Sequence, residues 1–310
     1  MSTIVTLAGV ATLVGVSGWL AVGCGSGRDG AADGPNDPAR GQGNVADVVV
    51  TTSVMGDVVS NLLGQDTRVE TIMAPGADPH DFAPSARQID SMMQADVLVS
   101  SGGGFEEGLE GAIEQAEAER TPLCTAIDYV DTIGSDGVDP HFFTDPSGMA
   151  AAAEGLTDCI LAAVPALDTE ANRAHADAYI AQLTELDAEV AQIVARVPAQ
   201  RRVLVTNHGV FGYFAQRYGF EVAGSILPRT TGGDVDASAL EELAGLIRDE
   251  DVPAVFVDAS SSGQLADALA SEVGGVEVVE LFSESLGPDG GETYLDMVRT
   301  NAQRIAEALS

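Results

Sequence analysis

The chain has no lysine. Its 14 basic side chains are all arginine and face 48 acids, giving a formal charge of −34 over 310 residues. A field of that sign repels nucleic acid and anionic lipid and draws in cations, which argues against a nucleic-acid partner. Such acidity mostly describes the surface, and it suits saline surroundings. Cysteine is scarce: Cys24, Cys124 and Cys159 are too few for a thiolate zinc site. No His-Glu-x-x-His spacing and no nucleophile elbow occurs, so the local signatures of common hydrolases are missing. Aromatic residues make up 5%, with Trp19 the single tryptophan, and no Tyr/Trp/Arg-rich stretch suggests an adhesive surface. What is plentiful is Ala, Val and Leu, which fill the layers between helices and parallel strands.

Ionisable side chains are also missing from Met1 to Gly23. A largely apolar stretch of that length fits a secretory signal or a membrane anchor. Its end, Leu20-Ala21-Val22-Gly23-Cys24, resembles a bacterial lipobox, in which small residues precede a Cys that is acylated and becomes the new N-terminus. The usual basic residue near the start is absent, and Ala21 stands where Leu is commoner. Residues 1–23 are read as a signal peptide with Cys24 as the lipidation site; the alternative is an uncleaved anchor. Either places the remainder outside the cytoplasmic membrane, at its outer face or in the periplasm. Residues 24–45 are rich in Gly, Asp and Pro with almost nothing apolar, and read as a flexible tether. In an exported chain Cys124 and Cys159 can pair or remain two buried thiols, because sequence supplies no distance.

From Asp47 onward, short β-branched runs alternate with helical stretches. Strands are expected at 48–52, 68–73, 96–100 and near 123–127, with helices between them. From Asp168 to Val197 neither Gly nor Pro occurs, and Tyr179, Ile180, Leu183, Leu186, Val190, Ile193 and Val194 recur at helical spacing. Acceptors at Asp168 and Thr169 start that helix and Pro198 stops it; about 30 residues would span about 45 Å. Strands resume at 202–206, 220–223, 254–257 and 276–281, and a last helix covers 293–309. The fold class is therefore α/β: an N-terminal lobe over 46–165, a linking helix over 166–198 and a C-terminal lobe over 199–310. Both lobes carry largely parallel sheets, and the two are candidates for distant structural repeats.

Three of the four histidines share a setting that the fourth lacks. His80 lies in Pro75-Gly76-Ala77-Asp78-Pro79-His80-Asp81-Phe82, a loop after the second strand. His141 lies in Asp139-Pro140-His141-Phe142-Phe143-Thr144-Asp145-Pro146, a loop that opens a helix. His208 lies in Thr206-Asn207-His208-Gly209-Val210-Phe211, where a strand ends. His175 sits on the polar face of the long helix. Ligands of open α/β sheets gather at the carboxyl ends of the strands, so a cleft between lobes can bring His80 and His208 together. Imidazole nitrogen suits zinc and its neighbours. Sequence spacing adds nothing, because 61 and 67 residues separate the three in turn.

Those three motifs, with Tyr213-Phe214 and the tail Tyr294-Leu295-Asp296-Met297 and Asn301, resemble the zinc/manganese-binding solute-binding proteins of ABC importers, the cluster A-I type. The resemblance runs from about Val48 to the C-terminus. It implies two α/β lobes joined by one rigid helix, with His80, His141 and His208 as metal ligands in the cleft. His at position 208 favours zinc over manganese. The fourth ligand of many relatives is an Asp in a Thr-Asp-Ser-Leu-like turn; here Ser283-Glu284-Ser285-Leu286 puts Glu284, one methylene longer, in its place. The His-rich loop of some zinc binders is represented by 128–138, which has acids and no His. Asp81, Asp139 and Asn207 are candidates to orient the imidazoles. The expectation is a monomeric, non-enzymatic lipoprotein that captures Zn2+ (alternatively Mn2+) for an ABC permease. A zinc hydrolase and a metal-binding surface adhesion protein are the competing readings, and a closed four-ligand site would speak against the hydrolase.

Overall fold

A computed structural model describes residues 46–64, 67–134, 137–226, 237–260 and 263–310. The expected signal peptide, Cys24 and the tether lie outside these residues.

Strand β1 (Asp47–Val50) carries three valines with essentially no exposure. A strand covered on both faces belongs inside a parallel sheet. It is flanked by β2 (Arg68–Thr71) and β3 (Val97–Ser100), with β4 (Leu123–Thr125) beyond β3, all parallel. Helices α1 (Ser53–Leu63), α2 (Ala86–Gln94) and α3 (Glu110–Ala118) make the crossovers. Their starts are written locally: Thr52 Oγ1 accepts the Met55 N–H, and Ser85 and Gln88 form a capping box.

Two helices follow, α4 (Pro146–Ala163) and α5 (Glu170–Val194). The long helix is shorter than its sequence suggests. Thr169 Oγ1 accepts the Asn172 N–H and sets the start at Glu170, and the chain leaves the helix after Val194, ahead of Pro198. Its 25 residues span about 37 Å.

The second sheet contains β5 (Val203–Thr206), β6 (Glu221–Ser225), β7 (Ala254–Asp258) and β8 (Glu277–Leu281), joined through α6 (Gly212–Tyr218), α7 (Ala237–Asp249) and α8 (Gln264–Val273). Its order, β6-β5-β7-β8, repeats that of the first sheet, β2-β1-β3-β4, strand for strand. The lobes thus share one topology.

The buried stripe of α5 (Ala176, Tyr179, Leu183, Leu186, Val190 and Val194) packs on α1 and α4 of the first lobe and on α9 (Tyr294–Ala308) of the second. One apolar cluster therefore runs unbroken from Val48 and Leu62 through Leu183 to Leu204, Phe214 and Ile305. Separate clusters cover the opposite sheet faces, around Val49 and Leu98 in one lobe and Val205 and Val255 in the other. Tyr294, fully buried, donates its hydroxyl to the Phe143 carbonyl and its N–H to Asp57 Oδ2, pinning α9 to the first lobe. Close-packed interiors yield little to strain, so this shared core resists a wide hinge motion. No helix among the described residues is long and apolar enough to cross a membrane.

Cys124 on β4 and Cys159 on α4 form a disulfide, so the paired state holds of the two left open by sequence. It joins residues 35 apart and encloses the segment that carries His141. Closing a loop of that length removes denatured-state entropy equivalent to about 4 kcal/mol in the chain-entropy model. Replacing both cysteines with Ala is expected to lower the denaturant midpoint clearly, and reductant to do the same to the native chain. An unmoved midpoint in both experiments contradicts this role.

Candidate metal centre

The carboxyl ends of both sheets face the cleft, and each sequence-selected residue sits on a loop leaving such an end. His80 follows β2, His141 follows β4, His208 follows β5 and Glu284 follows β8. One ligand atom from each comes within 4.8 Å of every other. The point of convergence is Glu284 Oε1, which lies 2.6 Å from His208 Nε2, 2.9 Å from His80 Nε2 and 3.9 Å from His141 Nε2. Side-chain exposure is 0% for His208 and Glu284, 3% for His141 and 4% for His80, so the cluster is dry. His175, by contrast, is exposed on α5 and lies over Gly64, outside the cluster.

Each imidazole is aimed by its surroundings. Asp139 Oδ1 sits 2.8 Å from His141 Nδ1 and also accepts the His141 backbone N–H. An ionised carboxylate only accepts, so Nδ1 carries the proton and the Nε2 lone pair points into the cluster. Gly212 permits this: a Cβ there would come 2.6 Å from Asp139 Oδ2. Behind His80 stands Glu107, its Oε1 3.3 Å from Nδ1, whereas the expected Asp81 is exposed. Glu107 gets this close because Gly108 lies against the Phe82 backbone, where a Cβ would meet the Phe82 carbonyl oxygen at 1.8 Å. Asp78 Oδ1 accepts the His80 N–H and tightens the loop. Asn207 is buried beside His208 and donates its backbone N–H to Phe256 O; Thr206 Oγ1 donates to the His208 carbonyl and fixes that turn. Phe105, fully buried, sets its ring edge-to-face with His80 and His141 at 5.8 and 5.6 Å.

The Glu284 turn is held from behind by Asp258, whose Oδ2 accepts both the N–H and the hydroxyl of Ser283 at 2.9 and 2.5 Å. Asn301 of α9 brackets Phe282, accepting its N–H and donating to its carbonyl.

Burial opposes the charge on Glu284, but hydrogen bonds from His208 and His80 outweigh it and draw its pKa down to about 2. Burial also opposes protonation of His80, yet the hydrogen bond and charge of Glu284 prevail and raise its pKa above the usual value. For His141 burial wins over Asp139, and the pKa falls. Burial, then the neighbouring Glu284 charge, pushes Asp258 up.

Five buried side-chain N or O atoms among the described residues have no hydrogen-bond partner, and four belong to this cluster: His80 Nδ1, His141 Nε2, His208 Nδ1 and Glu284 Oε2. Buried polar atoms are normally satisfied, and leaving them otherwise costs 1–3 kcal/mol each by order of magnitude. Of these, His141 Nε2 and Glu284 Oε2 border the point of convergence, and unsatisfied atoms there mark a site built to hold something.

Two parallel α/β lobes on a shared core, with candidate donors converging in the cleft from both, define the architecture of a two-lobed binding protein. Residues 48–308 match the family model described as zinc-uptake complex component A periplasmic (ZnuA), and the chain belongs to this family of metal-binding substrate-binding proteins of ABC importers. Relatives include the manganese-binding lipoprotein MntA of Halalkalibacterium halodurans, 26% identical over 94% of this chain and 95% of that protein. The zinc-binding protein TroA of Treponema pallidum is 30% identical over 85% and 88%, and the iron-binding protein YfeA of Yersinia pestis 27% over 89% of each. The solved structure of periplasmic TroA superposes with a TM-score of 0.80 at 29% identity, covering 86% of this chain and 99% of that one.

Asp139→Asn offers an amide in place of an obligate acceptor and relaxes the His141 tautomer. Loss of such a supporting carboxylate typically costs 10–100-fold in metal affinity. A drop of that size, with an unchanged melting temperature, is expected in a metal titration; unaltered affinity refutes the orienting role.

Proposed function

We propose that this chain captures a divalent transition metal outside the cytoplasmic membrane and passes it to an ABC permease. Zinc is the favoured cargo and manganese the alternative. His80, His141, His208 and Glu284 are the ligands, and the chain acts as a monomer anchored through Cys24. The single observation that carries this is the convergence of three imidazole Nε2 atoms and one carboxylate in a buried cleft between lobes.

The family's relatives are named for zinc, manganese and iron, so their names do not select the metal. The donors do so better. Three imidazoles and one carboxylate suit tetrahedral zinc, whereas manganese prefers oxygen-rich octahedral surroundings. In a tetrahedron with metal–ligand bonds of about 2.0–2.1 Å the ligand atoms stand about 3.4 Å apart. The widest spacing here, 4.8 Å, needs an adjustment of only about 1.4 Å. Neutral histidines and one carboxylate leave a net charge of +1 around a divalent ion, which can be buried when fully coordinated. Four protein ligands also fill the tetrahedron and leave no open position for a hydrolytic water. Selectivity against copper, which binds such donors more strongly, falls to geometry and supply.

Protons compete for the same nitrogens. Because the His80 pKa is raised, zinc affinity is expected to begin falling above the ordinary histidine value of about 6.5, and to fall further below it as His141, whose pKa is lowered, takes up its proton. A flat affinity profile from about pH 7.5 to pH 5 contradicts histidine ligation. Removing one ligand tests the site itself: His208→Ala is expected to reduce calorimetric zinc affinity at least about a hundredfold, and unchanged affinity refutes the ligand set. Elemental analysis of chelator-free protein is expected to find one zinc per chain.

A further inference from the structure

The turn Ser283-Glu284-Ser285-Leu286 is fastened on both sides of Glu284, and the two fastenings belong to different lobes. On the Ser283 side the anchor is Asp258, at the end of β7 in the second lobe. On the Ser285 side the bonds cross to the first lobe, to Ser53 and Gly76. Ser285 Oγ lies 3.0 Å from Ser53 Oγ and accepts the Gly76 N–H at 2.8 Å. Leu286 donates its N–H to Ser53 Oγ at 3.0 Å and accepts from Gly76 N at 2.9 Å. Ser53 and Ser285 are each 6% exposed, so water does not replace these bonds without the lobes parting.

The partners are placed to matter. Ser53 is the first residue of α1, directly after its capping Thr52 at the carboxyl end of β1. Gly76 lies four residues before His80 in the same loop. The seam therefore ties the loop of one ligand to the turn of another across the cleft. It is made of neutral hydroxyls and backbone groups, away from the donor atoms themselves.

We propose that Ser285, together with Ser53, is a positioning pair whose hydroxyls hold Glu284 in the cleft and set how long the cargo stays bound. This rests on the metal-capture reading above. Any parting of the lobes at this seam breaks the Ser53–Ser285 and Gly76–Ser285 bonds together and leaves Glu284 held on one side only. Retention of the ion and closure of the lobes are thereby one event rather than two. Removing one partner of a buried hydrogen bond leaves the other unsatisfied, so the effect exceeds that of a surface hydroxyl.

The test is the rate at which zinc leaves the purified full chain into excess fluorescent chelator, measured for wild type, Ser285→Ala, Ser53→Ala and the double variant, each with its melting temperature and zinc stoichiometry. Either single change is expected to speed release about tenfold or more with one zinc per chain retained. The double variant is expected to release no more than about twice as fast as either single, because both act through one seam. In a Glu284→Gln background the Ser285→Ala change is expected to alter release by less than about twofold. Release within twofold of wild type in the single variants overturns the proposal. So do multiplicative effects in the double variant, or an undiminished effect in the Glu284→Gln background, since those describe ordinary loss of packing. A wild-type chain that holds no zinc overturns the capture reading itself, which separates that failure from failure of the seam.

Discussion

Glu284 Oε1 lies within hydrogen-bonding distance of two imidazoles and 3.9 Å from a third, in a place almost entirely closed to solvent. Gathering a carboxylate and three rings without water is unfavourable unless their lone pairs and charge are answered locally. In the protein they partly answer one another: the imidazoles draw the carboxyl pKa down and the carboxylate raises that of His80. What the side chains leave unanswered, among them His141 Nε2 and Glu284 Oε2, is the capacity that a divalent cation would satisfy under the function proposed above. Folding has to hold this arrangement against its own tendency to open to water.

The scaffold does so by redundancy. Two sheets with the same strand order direct their carboxyl-end loops at one cleft, and α5 supplies a buried stripe common to both lobes. Because one core passes beneath the cleft without a break, the donor loops stand on a common foundation and small loop displacements cost less than lobe separation. Local devices then set individual donors: Asp139 behind His141, Asp78 within the His80 loop, Asp258 behind the Glu284 turn. The disulfide between β4 and α4 shortens the free chain around His141. The strongly acidic surface contributes at longer range, raising local cation concentration without choosing among ions.

How much of this is visible in the sequence depends on the range of the contact involved. The alternation of β-branched runs and helical periods is local, and it places the eight strands of the described residues to within a few positions. The three cleft histidines stand out from His175 because each adjoins a strand end or a stiff, proline-bearing loop. Helix ends depend on capping geometry, so α5 begins at its Thr169 cap and stops short of Pro198. The 18-residue α4 is legible only as a helix opened by the His141 loop; Ala-rich and interrupted by Gly148 and Gly155, it shows no sharp apolar period. Glu284 is reached through family resemblance rather than spacing. Glu107, Phe105, Asp258 and Ser53 are not legible at all, because each acts on a partner remote in the chain or through a close backbone approach such as that of Gly108 to Phe82. The cysteines show the same limit: composition permits pairing, and only the 6.0 Å between their Cα atoms decides it.

In the function proposed here, imidazoles from both lobes and Glu284 enclose one ion. Anomalous diffraction at the zinc edge from crystals of the zinc-loaded protein tests it most directly. A single strong peak is expected in the cleft, about 2.0–2.1 Å from Nε2 of His80, His141 and His208 and about 2.0–2.2 Å from a Glu284 oxygen. A peak among surface carboxylates, with the three imidazoles left apart, would contradict it.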